Sequence, residues 1–375
     1  MGTAAVSTRR VLLPLALAQF ICSFAGSNMN VMINDISKDL DTTVHGVQIT
    51  ITLFLLCMAV LMLPGSKLTD RWGRKRCFMI GLALYGVGAL ASAIAPGLGI
   101  LILGNSIFEG VGSALLIPPV YILTTMIFGD VTSRARAFGL ISGMGGVGAA
   151  AGPLIGGFIA TAISWRAAFL FQAAVVATII LSGRRIVDPV AADRTRPFDT
   201  VGAILSAVGM FFVVVGILQA GSNNLLLMVL LVVGAAFLIW FFLYIRSRER
   251  AGKEPLVSTG LFRNRTSNLG LVTQNVQWLV LMGTAFVVSA FLQVVRGYNA
   301  IQTGVIFTAA TAGVLISSLA AERLARRHAQ RTLIQAGFMA TLAGIGLLLG
   351  LFKVSSNVLV AIPGLLLFGL GVESC

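Results

Sequence analysis

Charge is what this chain has least of: Asp, Glu, Lys and Arg make up 11% of its 375 residues, where a soluble domain carries about 25%. Histidine is nearly absent too, with only His45 and His328, both in connecting segments and neither spaced from a partner as a catalytic pair or metal site requires. No glycine-rich phosphate loop and no cluster of metal ligands occurs, which excludes the common soluble enzymes and implies no cofactor and no ATP. The four cysteines define no disulfide framework, because Cys22 and Cys57 fall inside apolar runs, Cys77 follows a basic segment and Cys375 ends the sequence. Acids are outnumbered by 27 Lys and Arg to 13 Asp and Glu, giving a net charge of +14. That excess would suit nucleic acid only if the cations gathered on one patch, and they do not.

What the chain does have is long apolar runs. A membrane-spanning helix needs about 20 predominantly apolar residues, and such runs lie at 11–33, 47–68, 77–97, 99–128, 135–160, 166–187, 200–221, 224–245, 267–295, 300–322, 332–352 and 357–375. The cations avoid their interiors, falling between the runs or within four residues of an end. Counting the N-terminus as the first connection, the odd-numbered ones hold Arg9 and Arg10; Lys67, Arg71, Arg74, Lys75 and Arg76; Arg134 and Arg136; Arg184, Arg185, Arg194 and Arg196; six between 246 and 265; and Arg323, Arg326, Arg327 and Arg331. The even-numbered ones hold only Lys38, Arg166, Arg296 and Lys353. Basic residues are retained on the cytoplasmic side, so the pattern predicts an all-α, multi-pass protein of the cell (inner) membrane with its N-terminus in the cytoplasm. Arg9 and Arg10 before an apolar stretch also have the look of a signal peptide. Retention is expected, since cleavage would start the later alternation on the wrong side.

Two basic connections are related. Ser66-Lys67-Leu68-Thr69-Asp70-Arg71-Trp72-Gly73-Arg74-Lys75-Arg76 follows span 2, and Glu322 to Arg331 follows span 10, with a leucine at the same offset. Read as an internal repeat of the kind common in transporters, the pair predicts a six-helix bundle over 1–187, an inserted helix pair with its linkers over 188–266, and a four-helix part of a second bundle over 267–375.

The segment from Ser66 to Arg76 resembles the signature loop of the major facilitator superfamily, a Gly, Leu, Asp, Arg, Gly, Arg pattern joining helices 2 and 3. Here Ser66 stands where the family usually has glycine, with Gly65 displaced by one. Gly73 permits a tight reversal, and Asp70 can pair with the surrounding cations or with a helix N-terminus; a gating loop of Ser66, Asp70, Arg71, Gly73, Arg74 and Lys75 is what the resemblance implies. In span 5, Gly148, Gly152-Pro153 and Gly156-Gly157 resemble the family's antiporter motif. Glycines four apart allow close helix approach, and Pro153 removes one backbone hydrogen bond. Trp165-Arg166, Phe198-Asp199 before Gly202, Leu261-Phe262-Arg263, and Gly297-Tyr298 with Gln302 and Gly304 are similar to the 14-helix drug/proton antiporters. That likeness implies major-facilitator-type bundles with about 12 of 14 expected helices.

Glu109, deep in span 4, is the one acid placed well inside a complete span. A carboxyl there favours its neutral form and is a candidate for proton relay. Asn105, Ser106, Gly112 and Ser113 share its helix face, which is expected to turn toward a cavity; the alternative is a protonated, hydrogen-bonded Glu doing the structural work of the family's usual Gln. Two familiar coupling positions are replaced, an Arg by Ser106 and a span 1 acid by Ala25. Span 1 carries a polar stripe of Gln19, Ser23, Gly26 and Asn30, and span 9 has Gln274, Gln277 and Trp278 within one turn. Interleaved with Phe24, Phe108 and Phe286, these neutral groups suit an amphipathic or aromatic small molecule, with interhelical hydrogen bonding as the plainer reading. Together the residues and the resemblance lead us to expect a secondary exporter of small amphipathic or drug-like compounds, working by alternating access with the proton gradient as energy source. Its expected partners are the lipid bilayer and a small-molecule substrate, not nucleic acid. The alternatives are a transport-inactive truncated fragment or membrane scaffold and, third, a membrane-embedded enzyme.

The resemblance also carries an expectation about the DNA. The apolar run from Val358 to Val372 gives way to Glu373-Ser374-Cys375, so two further apolar spans are expected downstream in some reading frame. Sequencing past the Cys375 codon checks this, and unrelated sequence in all three frames would leave a natural 12-span protein instead.

Overall fold

The computed structural model describes residues 2–190, 192, 193, 195, 197–219, 223–298, 300–327, 330–354 and 362–374. Arg194, Arg196, His328 and Cys375 lie outside the described residues. Among the described residues each apolar run falls on one helix: α1 (Gly2–Asp39), α2 (Val44–Trp72), α3 (Arg74–Ala93), α4 (Leu98–Ile127), α5 (Val131–Ala162), α6 (Trp165–Gly183), α7 (Thr200–Leu218), α8 (Asn224–Arg250), α9 (Arg265–Ala290), α10 (Ala300–Arg327), α11 (Gln330–Val354) and α12 (Ile362–Ser374). No strand occurs among the described residues. In those same residues α1 to α8 and a 20-residue stretch of α11 are long and apolar enough to cross a membrane, with shorter apolar stretches at Gly304–Ser317 and Ile362–Gly371. The protein is an all-α, polytopic membrane protein.

Polar residues mark where helices begin. The carboxylate of Asp130 accepts from the Ser133 amide at 2.8 Å to open α5, and its bonds from Ser133 hold that carboxyl below its usual range. Ser164, Asp199 and Asn223 cap α6, α7 and α8 in the same way, each accepting an amide that the first turn leaves unpaired. Two runs end earlier than expected: α3 stops at Ala93, before Pro96-Gly97, and α6 stops at Gly183, before Arg184-Arg185.

The chain divides into two compact units. The first contains 1–44, 124–185 and 269–375; the second contains 45–123 and 186–268. In the first, α1 packs on α5 and α6, α5 packs on α10, and α12 packs on α10 and α11. Its core includes Leu15, Ile21, Phe24, Met29, Met32 and Phe169, with a second cluster of Val288, Leu292, Ala310, Leu348, Leu365 and Phe368. In the second unit Phe54, Phe78, Leu82 and Tyr85 fill the space around α2 to α4, and Ala203, Leu205, Phe241, Ile245 and Leu256 join α7 to α8.

Asp199 fastens that second pair. Its Oδ1 accepts from the Gly202 amide at 3.0 Å and the Tyr244 hydroxyl at 3.3 Å, while Oδ2 accepts from the Leu256 amide at 3.1 Å and lies 3.6 Å from Arg248 Nε. A carboxylate with no exposed surface to speak of thus serves both ends of the helix pair and the chain that leaves it, which gives Phe198-Asp199 a structural reason.

The join between α2 and α3 is a single residue. Gly73 has φ +91° and ψ 142°, close to a region that only glycine enters freely, and a side chain there would also meet Asp188 Oδ2 at 3.2 Å. Gly73→Ala is expected to cost about 1–3 kcal/mol, read as a lowered thermal midpoint of the purified protein; an unchanged midpoint would mean that the joint relaxes without strain.

Candidate functional site

The signature segment is more helical than a loop reading allows. Ser66, Asp70 and Arg71 lie on the last two turns of α2, and Arg74 and Lys75 open α3, so Gly73 alone makes the reversal. The carbonyl of Ser66 accepts from the Thr69 hydroxyl at 2.6 Å. The displaced Gly65 serves packing instead. A Cβ there would sit 2.6 Å from the Ala114 carbonyl oxygen, so the glycine lets α2 lie against α4. Asp70 accepts from Arg74 at 3.0 Å. Acids from the chain around α7 and α8 meet the same segment: Lys67 pairs with Glu254 at 3.3 Å, and the Lys75 amide donates to Asp188 Oδ2 at 3.2 Å.

Glu109 is fully buried at the end of a π-helical stretch, Ile102–Glu109. Such wide turns in helices are frequent at functional sites. Asn105 Nδ2 donates to Glu109 Oε2 at 3.3 Å and Tyr85 is a second polar neighbour, while Glu109 Oε1 and Asn105 Oδ1 have no hydrogen-bond partner among the described residues. Ser106 Oγ donates to the Thr50 carbonyl at 2.7 Å. Here the expectation of a cavity needs correcting, because this face packs against α2 and α3. Glycines close the seam: a Cβ at Gly88 would come within 2.9 Å of Glu109 Cγ, one at Gly104 within 2.8 Å of the Gly88 carbonyl, and one at Gly112 within 2.8 Å of the Tyr85 amide.

The antiporter motif meets α1. A Cβ at Gly148 would overlap the Phe20 carbonyl, one at Gly152 the Ser27 hydroxyl, and one at Gly156 the side-chain oxygen of Asn28. Between those last two glycines the helix widens into a π turn, Gly152–Gly156, around Pro153, which has no amide hydrogen to donate. Gly157 is buried, and its carbonyl accepts from Thr161 at 2.8 Å. On the side facing α10, Pro153 Cβ lies 3.5 Å from where a side chain at Gly304 would begin, and a Cβ at Gly146 would sit 3.0 Å from Val314 Cγ1.

The polar stripe of α1 divides. Gln19 and Ser23 pack against Gly145, while Gly26 faces open space and Asn30 is exposed, its amide turned back to the carbonyls of Gly26 and Ser27. Phe24, expected among ligand-facing aromatics, is core: it is fully buried, with Phe20 and Phe171 at 5.8 and 5.4 Å. Gln274 and Trp278 are exposed on α9, Gln277 is half-buried, and the Phe286 side chain lies outside the described residues. The residue that sequence reasoning missed is Asn28. It is fully buried in a membrane-spanning helix, and neither side-chain atom has a hydrogen-bond partner among the described residues. The sequence signal was the glycine ladder alone, which calls for a closely packed partner helix but does not say which of its residues, here Phe20, Ser27 and Asn28, meet the glycines. No group of His, Cys, Asp and Glu among the described residues is arranged to hold a metal ion.

A bundle of apolar helices with a sealed carboxyl, a one-residue joint among cations and a glycine ladder describes a membrane carrier. Consistent with this, the family model for the Major Facilitator Superfamily matches residues 15–375. The chain belongs to that superfamily: it is a multi-pass membrane transporter and not an enzyme. It is 29% identical over 366 residues to the puromycin resistance protein pur8 of Streptomyces alboniger, covering 96% of this chain and 72% of the relative. It is 27% identical over 370 residues to the multidrug resistance protein Stp of Mycobacterium tuberculosis, covering 97% and 67%. To the riboflavin transporter RibZ of Clostridioides difficile it is 23% identical over 364 residues, covering 96% and 77%.

The contact between Asn28 and Gly156 makes a paired test. Gly156→Ala is expected to destabilise the protein by about 1–3 kcal/mol through overpacking, and Asn28→Ala in the same chain to recover most of the loss. Thermal melts of the two single variants and the double variant check it; strictly additive losses would show that the two positions do not touch.

Proposed function

We propose that the protein exports small amphipathic or drug-like compounds across the cell (inner) membrane by alternating access, in exchange for protons, with Glu109 as the proton carrier and its N-terminus in the cytoplasm. The observation that carries this reading is Glu109 itself, a fully buried carboxyl with one oxygen lacking a partner among the described residues, sealed between α3 and α4 by glycine contacts. An ionisable group in that setting marks an ion pathway by default. The resistance and multidrug names borne by pur8 and Stp support a drug-like cargo, and the gathering of 23 of 27 cations on alternate connections supports the orientation. In this mechanism proton uptake at Glu109 removes a charge from the membrane interior, and the glycine-lined contact of α1 with α5 is a surface on which helices can rock without side-chain obstruction. Gln19, Ser23 and Asn30 of α1 and Gln274, Gln277 and Trp278 of α9 would orient the cargo by neutral hydrogen bonds and aromatic contact rather than by ion pairing. The energy source is the proton gradient, and no cofactor takes part.

Glu109→Gln mimics the permanently protonated carrier. The variant is expected to express and to bind cargo as the wild type does, but without pH dependence, and to reduce proton-driven uptake into inverted vesicles to background. Normal transport with Gln at 109 would leave the exporter standing with a different proton carrier. A wild-type protein that moves no compound and dissipates no pH gradient across a broad panel of amphipathic cations and neutral aromatics would end the exporter reading.

A further inference from the structure

Five cations surround the α2–α3 joint, and the structure spends them unequally. Arg74 is held by Asp70 at 3.0 Å and Lys67 by Glu254 at 3.3 Å. Asp188, the other nearby acid, accepts from the Lys75 amide. Arg71 and Arg76 form no ion pair and no side-chain hydrogen bond among the described residues, although Arg71 also borders a crevice shared with Asp70 and Glu254. These two arginines converge with Trp72 and Ile80 on an open cleft of about 350 Å³ that no acid lines.

We propose that this cleft binds the phosphate of an anionic phospholipid, with Arg71 and Arg76 on the headgroup and Trp72 and Ile80 along the glycerol and acyl region. Guanidinium groups form forked, charge-assisted hydrogen bonds to phosphate oxygens, and two of them suit a phosphodiester whose charge no attached cation cancels. The apolar part of the cleft runs in the direction a lipid requires. Ile80 lies four residues after Arg76, on the same face of α3 and roughly 6 Å further along a membrane-spanning helix. Trp72 closes α2 beside it with 39% of its surface exposed, the placement an indole adopts at the boundary between headgroups and hydrocarbon. A free phosphate ion would use the arginines but has no use for the indole or the isoleucine.

The test uses the full chain in nanodiscs made from equal parts of phosphatidylglycerol and phosphatidylcholine, with the lipids retained after detergent extraction measured by native mass spectrometry. The wild type is expected to retain phosphatidylglycerol preferentially. Arg71→Gln and Arg76→Gln should each weaken that retention about fivefold, Trp72→Ala should weaken it as well, and the double variant Arg185→Gln/Arg250→Gln, which removes the same charge elsewhere, should not. Equal loss from the Arg185/Arg250 control would reduce the effect to bulk electrostatic attraction and overturn the proposal. Displacement of the lipid by millimolar inorganic phosphate, with Trp72→Ala indistinguishable from wild type, would reassign the cleft to a free anion and also overturn it. If Arg71→Gln fails to insert, Arg76→Gln, whose side chain is exposed, decides the matter by itself.

Discussion

Close backbone contact at glycine is the interaction on which the rest of this structure depends. Lipid is as apolar as leucine, so helices inside a bilayer associate through fit rather than by escaping solvent. Here the fit recurs at seam after seam: Gly88, Gly104 and Gly112 between α3 and α4, Gly148, Gly152 and Gly156 against α1, Gly209 and Gly234 between α7 and α8, and Gly313, Gly344 and Gly369 around α12. At most of these positions a single methyl group would strike backbone or side-chain atoms of the neighbouring helix. The same closeness is what shuts polar groups away from both water and lipid, so the burial of Glu109 and Asn28 follows from the packing and was not arranged independently of it.

The pair α7 and α8 is anchored by a buried charge as well as by glycine fit. Asp199 gathers the start of α7, Tyr244 and Arg248 of α8, and the Leu256 amide, and Arg248 also donates to the Glu254 carbonyl at 3.1 Å. Glu254 then presents its side chain to Lys67. One buried carboxylate therefore fixes the position of an acid that reaches the signature segment, and a short chain of polar contacts links α8 to the α2–α3 joint. A half-buried surface pair such as Lys67–Glu254 contributes little stability by itself; its importance lies in where it holds the chain.

The number and order of the helices, and most of their limits, were legible in the sequence because they follow from the hydrocarbon thickness and from capping residues that act locally. Gly73 and the antiporter glycines were legible for the same reason, since a positive φ and a missing side chain are properties of single residues. The direction in which a polar face points was not. A helical period places Asn105, Ser106 and Glu109 together, but it does not say whether the face meets water or another helix, and the π-helical stretch through them leaves no mark in composition. Phe24 and Asn28 were misjudged or missed because their surroundings are supplied by α5 and α6, more than a hundred residues away in the chain. Asn30 satisfies every rule for a polar stripe and yet folds its amide back on its own helix.

The sealing of Glu109 also sets a clock. A carboxyl without surface exchanges its proton only while α3 and α4 breathe apart, so its charge state is written during those openings and kept unchanged between them. For the proton carrier proposed above, such a group would record the acidity of the compartment that the last opening admitted, and the tightness of the glycine contacts would determine how long that record lasts.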